Sequence, residues 1–183
     1  MCAKSFLVAE ICQLHLKDIY QKEAFDGTKH WVFDIYEDEG IGTRTKNSEH
    51  RPRSIPIHNI LISLGLMNYI DDLKAKCEEK LFPSAKRTNS GQFGPESQWW
   101  GEYSSNAGIT DKNVVFHSFR HSLNDTMSNA IVREEIQTAI SGHAFKSLSK
   151  TTYSRSGKRG YDIGPLVEVI NSIDYGLKHP SFK

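Results

Sequence analysis

Residues 117–153, HSFRHSLNDTMSNAIVREEIQTAISGHAFKSLSKTTY, decide how the rest of the chain is read. The stretch opens with His117, Arg120 and His121, passes through the pair Gly142-His143, and closes on Tyr153, ten residues beyond His143. His117 and Arg120 have the spacing that places two side chains on one face of a helix, where both can point at one target. A guanidinium beside an imidazole suits a phosphate, because its forked donors match two phosphate oxygens. Gly142 is expected to stop a helix running from about Val132, which puts His143 on the turn that follows. From His143 to Gly160 there are five Lys or Arg and no Asp or Glu. A tyrosine in such surroundings is placed to face a polyanion.

The series H-x-x-R-H, then G-H, then a tyrosine ten residues on resembles the catalytic half of the tyrosine recombinases, the phage-type integrases. The similarity extends from about Ser5 to Tyr175, nearly the whole chain. It implies an α+β, mostly helical catalytic domain with a small three-stranded antiparallel sheet near the N-terminus. Residues 1–183 are then a single domain with a flexible tail at 176–183. The chain starts just inside that domain, so the upstream DNA-core-binding domain of the family is expected to be absent. The activity implied is site-specific DNA recombination, the integration or excision of a phage or genomic island. Its partners are double-stranded DNA attachment sites, a homotetramer formed on DNA, and accessory DNA-bending proteins, in a bacterial cytoplasm at the nucleoid.

The resemblance also assigns roles. Tyr153 is the nucleophile that attacks a DNA phosphodiester, expels a DNA hydroxyl and stores the bond as a 3′-phosphotyrosyl link. The bond is kept for rejoining, so no ATP is implied. Cationic side chains can stand in for a metal at the phosphate oxygens, so no cofactor is expected. Arg120 binds a non-bridging phosphate oxygen, His117 accepts the phenol proton or steadies the phosphate, and His143 donates to the scissile phosphate. The lysine that protonates the departing hydroxyl falls on Lys46; the pattern K-T-x-x-S instead sets Arg44 at that place. Arginine is not a proton donor near neutral pH, with a pKa above about 12. Arg44, Lys86, Arg87, Lys146, Lys150 and Arg155 are the cations expected against DNA phosphates.

One departure stands out. The family pattern G-x-R-x-x-E matches Glu10, but its arginine position falls on Leu7 and its glycine on Ser5. Leucine donates no hydrogen bond, so half of the phosphate clamp is missing. Loss of one preorganised donor typically costs about 100- to 1000-fold in rate. The expectation is a chain that binds DNA and cleaves it poorly, with a catalytically inactive DNA-binding remnant as the alternative.

Composition fits a soluble globular domain: 38% hydrophobic and 25% charged residues, with a net charge of +1. That balance excludes a disordered chain, and no apolar run approaches the roughly 18 residues of a membrane span. Cys2, Cys12 and Cys77 form an odd set at unrelated spacings, which points to reduced thiols in a cytosol. A metal site from His117, His121 and His143 is a rival reading. It is weakened by Arg120, which shares the helix face of the first two and repels a cation.

Along the chain, residues 5–17 read as a buried helix and residues 29–36 as a strand. Residues 41–57 read as a second strand, a basic loop and a third strand ending at Ile55-Pro56-Ile57-His58. Ile60, Leu61, Leu64, Met67 and Ile70 set one amphipathic helix over 58–76. Residues 81–98 read as a loop, with Trp99, Trp100 and Tyr103 more easily placed in a core than on DNA bases. Helices are expected over 110–129, 133–141, 147–153 and 165–175.

Overall fold

A computed structural model describes residues 10–36, 52–85, 94–142 and 162–174, with backbone alone for 94–98. Its centre is a three-stranded antiparallel meander of β1 (Ile19–Glu23), β2 (Lys29–Ile35) and β3 (Arg53–Pro56), in that spatial order. Register runs from Ile19 opposite Phe33 to Glu23 opposite Lys29, and from Val32 opposite Pro56 to Ile35 opposite Arg53. Alternation along β2 sends its side chains to two different cores. Val32, with no exposed surface, joins Met127, Ile136, Ile140, Leu166 and Ile170 on one face. Trp31 and Phe33 pack on the other face against Leu14, Leu16, Ile57, Ile70 and Leu73.

The helices follow as α1 (Asn59–Ser63), α2 (Leu66–Ala75), α3 (Gly94–Asn106), α4 (Ser118–Asn129), α5 (Glu134–Ser141) and α6 (Ile163–Ser172). α4, α5 and α6 cover the Val32 face. α2 supplies Ile70 and Leu73 to the other core. The chain is therefore α+β with a small antiparallel sheet, and no described helix is long and apolar enough to cross a membrane.

Several boundaries differ from the sequence reading, each for a local reason. Helical conformation in the first segment ends at Cys12 rather than near residue 17. Beyond it the backbone pairs with the segment after α2, through Leu16 N–H to Glu79 O at 2.8 Å and Leu81 N–H to Leu14 O at 3.0 Å. A short 3-10 turn, Leu16–Asp18, then feeds β1. Asp18 is buried there and accepts from the His15 N–H at 3.0 Å and the Tyr36 hydroxyl at 2.7 Å. β1 itself escaped the sequence reading because only Ile19 of IYQKE is buried. The strand expected near residue 41 lies outside the described residues.

The single helix expected over 58–76 is two helices, broken at Gly65, whose φ of 92° suits a residue without Cβ. The break leaves Leu61 and Leu64 exposed and shifts burial to Ile70 and Leu73. Gly94–Gln98, expected as loop, is the first part of α3. The helix expected from residue 110 begins only at Ser118, because Asp111 instead closes a turn on the Asn113 N–H at 2.8 Å. α5 ends at Gly142 in the left-handed region, as expected. α6 begins before Pro165, with Asp162 as its N-cap.

Two side chains tie the ends of this frame together. Asp162 Oδ1 accepts from Phe25 N–H at 3.1 Å, fixing the β1–β2 turn to the start of α6. His58 Nδ1 accepts from Ile60 N–H at 3.0 Å and so caps α1. The remaining ring nitrogen, Nε2, then carries the proton and donates to Ile173 O at 3.2 Å, past the end of α6.

His58→Ala is expected to lower stability by about 1–2 kcal/mol through the lost cap and tie. Met127→Ala, at a side chain 1% exposed, is expected to cost about 2–5 kcal/mol. Urea unfolding followed by circular dichroism measures both.

Candidate active site

Of the residues singled out in the sequence, His117 and Arg120 are described. Tyr153, His143, Lys46, Arg44, Lys86, Arg87, Lys146, Lys150, Arg155 and Leu7 lie outside the described residues, as do the helix expected over 147–153 and the tail at 176–183.

His117 occupies the N-cap position of α4, half-buried, and its carbonyl accepts from the Arg120 N–H at 3.1 Å. Its ring meets that of His121 edge to face at 4.8 Å between centroids. His121 is exposed and Arg120 is buried. The three polar residues of H-x-x-R-H thus take different depths at the start of one helix. Among the described residues no three metal-ligating side chains converge.

Arg120 is 5% exposed and points away from solvent toward the far end of α5. Its Nη2 donates to Ser141 O at 2.6 Å. That carbonyl belongs to the last turn of α5, where backbone acceptors have no partner within the helix and the macrodipole is negative. One buried guanidinium thereby joins residues 117–121 to Ser141, the residue before Gly142.

A second guanidinium stands beside it. Arg53, at the start of β3, donates from Nη2 to Glu10 Oε2 at 2.7 Å, with side chains 7% and 1% exposed. A Cβ added at Gly142 would lie 2.6 Å from Arg53 Cζ, 2.7 Å from Nη1 and 3.0 Å from Nε. Glycine suits position 142 by its φ of 73°, and a Cβ there would also make the Arg53 guanidinium shift. Burial pulls the Arg120 pKa below the usual arginine value; Glu10 opposes that pull and the like charge of Arg53 adds to it. Arginine keeps its proton in proteins, so Arg120 stays a cation despite that pull.

Glu10, Arg53 and Arg120 thus make one buried cluster at the end of α5, two positive charges against one negative. Arg53 was not assigned a role from the sequence. Its signal was available: a carboxylate inside the apolar run VAEIC needs a buried cation, since isolated charges are almost never buried unpaired. Trp99 and Tyr103 also depart from expectation. They stack at 5.2 Å on the surface of α3, 55% and 52% exposed, rather than filling a core.

Comparison of the chain with protein-family models, with curated proteins and with solved structures finds no match.

Gly142→Ala is expected to destabilise by more than the roughly 1–2 kcal/mol of a left-handed alanine, because Arg53 must also move. Denaturant titration checks this, and a cost below about 0.5 kcal/mol would be inconsistent with the packing of Arg53 on residue 142.

Proposed function

We propose that the chain is the catalytic domain of a tyrosine-type site-specific recombinase, a DNA strand-cleaving and rejoining enzyme weakened at one donor position. The observation that carries this reading is the Arg120 bond to Ser141 O at 2.6 Å, which brings H-x-x-R-H against the turn that leads into His143. A guanidinium fixed at that turn, with a half-buried imidazole at His117, is suited to non-bridging phosphate oxygens. Glu10, which matches the last position of the G-x-R-x-x-E pattern, lies in the same cluster.

The reaction follows from these roles. The Tyr153 oxygen attacks phosphorus, its proton passes to His117, and the bond to the departing DNA oxygen breaks. Lys46 protonates that oxygen, leaving a 3′-phosphotyrosyl link that a second DNA hydroxyl reverses. Arg120 and His143 hold the charge that builds on the phosphate oxygens. Phenol has a pKa of about 10, so a cationic site is needed for attack near neutral pH. Attachment-site duplex DNA, a homotetramer on DNA, accessory DNA-bending proteins and a bacterial nucleoid belong to the same proposal.

Leu7 favours a second reading, a DNA-binding remnant with no turnover. Incubation with a nicked duplex that traps covalent protein–DNA adducts separates the two. The unaltered sequence is expected to bind duplex with a steep loss of affinity in salt, since phosphate contacts dominate, and to give little adduct. Leu7→Arg is expected to raise adduct about 100-fold or more, and Tyr153→Phe in that background to abolish it. Strong trapping by the unaltered sequence would contradict the proposed impairment, and no trapping by Leu7→Arg would favour the remnant.

A further inference from the structure

The aromatic residues of α3 stand apart from the two cores on the faces of the sheet, neither of which contains a residue of that helix. Trp99 and Tyr103, one helical turn apart, stack with their centroids at 5.2 Å and their planes 22° from parallel. Behind them Trp100 is half-buried and meets Phe119 of α4 edge to face at 5.0 Å and Phe116 at 5.7 Å. Trp99, Tyr103 and Phe119 are each more than half exposed. Val114 and Val115, which lead into Phe116, are exposed as well. Three open rings joined through Trp100 make one continuous aromatic surface. Single exposed apolar side chains are ordinary, whereas a contiguous group of large ones marks an interaction site.

The charge around the rings selects the partner. Between Arg87 and Lys112 the chain carries Glu96, Glu102 and Asp111 and neither Lys nor Arg. On α4 the one arginine, Arg120, is buried, while Asp125 is exposed. Among the described residues from 99 to 131, the exposed charges are thus Glu102, Asp111 and Asp125 against Lys112. Nucleic-acid bases also stack on open tryptophans, but such platforms set their rings in a basic groove that tracks the phosphates. Carboxylates beside the rings repel phosphates and attract cations. The face of an aromatic ring carries partial negative charge and draws a cation in the same way, a guanidinium more often than an ammonium.

Glu102 lies three residues from Trp99, the spacing of neighbours on a helix surface. A guanidinium stacked on Trp99 therefore meets a carboxylate within the same turn. We infer that the aromatic face of α3 and α4 docks an arginine-bearing polypeptide segment, held by stacking on Trp99 and Tyr103 and by the charge of Glu102. Arginine fits better than lysine, because its flat, weakly hydrated guanidinium covers a ring while an ammonium is a compact and strongly hydrated point charge. Docking of this kind does not require the recombinase reading.

A blocked octapeptide of alternating glycine and arginine is the probe, titrated into the full chain at low salt and followed by calorimetry and tryptophan fluorescence. A matching glycine–lysine peptide and an octamer of thymidylate are the comparisons. The unaltered protein is expected to bind the arginine peptide, and the lysine peptide more weakly. Trp99→Ala/Tyr103→Ala, with its fold checked by circular dichroism, is expected to bind the arginine peptide about 10-fold more weakly. Glu102→Gln is expected to bind it about 2- to 5-fold more weakly. The thymidylate octamer, which a DNA-binding surface elsewhere can engage, is expected to bind equally with and without the two rings. Equal affinity of the arginine peptide for the unaltered protein and Trp99→Ala/Tyr103→Ala overturns the inference, as does no binding of that peptide at all. Thymidylate binding that is lost in the same double variant also overturns it, and assigns the face to nucleic-acid bases.

Discussion

The buried ion pair between Glu10 and Arg53 constrains everything around it. Both side chains are withdrawn from water, and charges in that position are tolerated only when they meet. The 2.7 Å contact fixes the end of the first helical segment to the first residue of β3, 43 positions apart in the chain. Arg120 then adds a third charge from α4 and carries the cluster onto the last turn of α5. Four segments of chain are thereby referred to one point. Apolar packing on the two faces of the sheet supplies most of the stabilisation, but it is non-directional. The polar cluster sets where the end of α5 lies relative to the sheet.

That placement connects fold to chemistry. A helix C-terminus is a poor place for an anion, because its free carbonyls carry partial negative charge. Arg120 covers one of these carbonyls and Arg53 lies over Gly142, so the end of α5 becomes locally positive. Gly142 turns the chain through the left-handed region at the same point. His143 follows directly in the sequence. For the strand exchange proposed above, a dry cationic corner of this kind is suited to the electrostatic stabilisation that a metal ion gives elsewhere.

The legible part of the sequence was the part governed by short-range rules. β2 could be read from KHWVFDI, because β-branched and aromatic residues crowd a half-buried strand. α5 and its stop at Gly142 followed from periodicity and the need for a positive φ. α6 followed from Leu166, Ile170 and Ile173, with its start displaced by the Asp162 cap. What was missed depended on distant partners. β1 carries one buried residue in five and is a strand because β2 lies beside it. The first helix stops at Cys12 because residues 14–16 find backbone partners at 79–81. Trp99 and Tyr103 share a helical face, but no periodicity reveals whether that face has a neighbour. At the site, the motif singled out Arg120 but not its inward turn onto Ser141, and Arg53 gained its meaning only when Glu10 was seen against it.

The central claim is that this carboxylate and these guanidiniums meet in a dry cluster on which the sheet and α5 both depend. Comparing the unfolding free energies of Glu10→Ala and Glu10→Met/Arg53→Leu tests it most directly. If the claim holds, Glu10→Ala loses about 3–5 kcal/mol because it strands a buried guanidinium, and the paired apolar replacement recovers most of that loss. A loss below about 1 kcal/mol for Glu10→Ala, the range of exposed ion pairs, would contradict it.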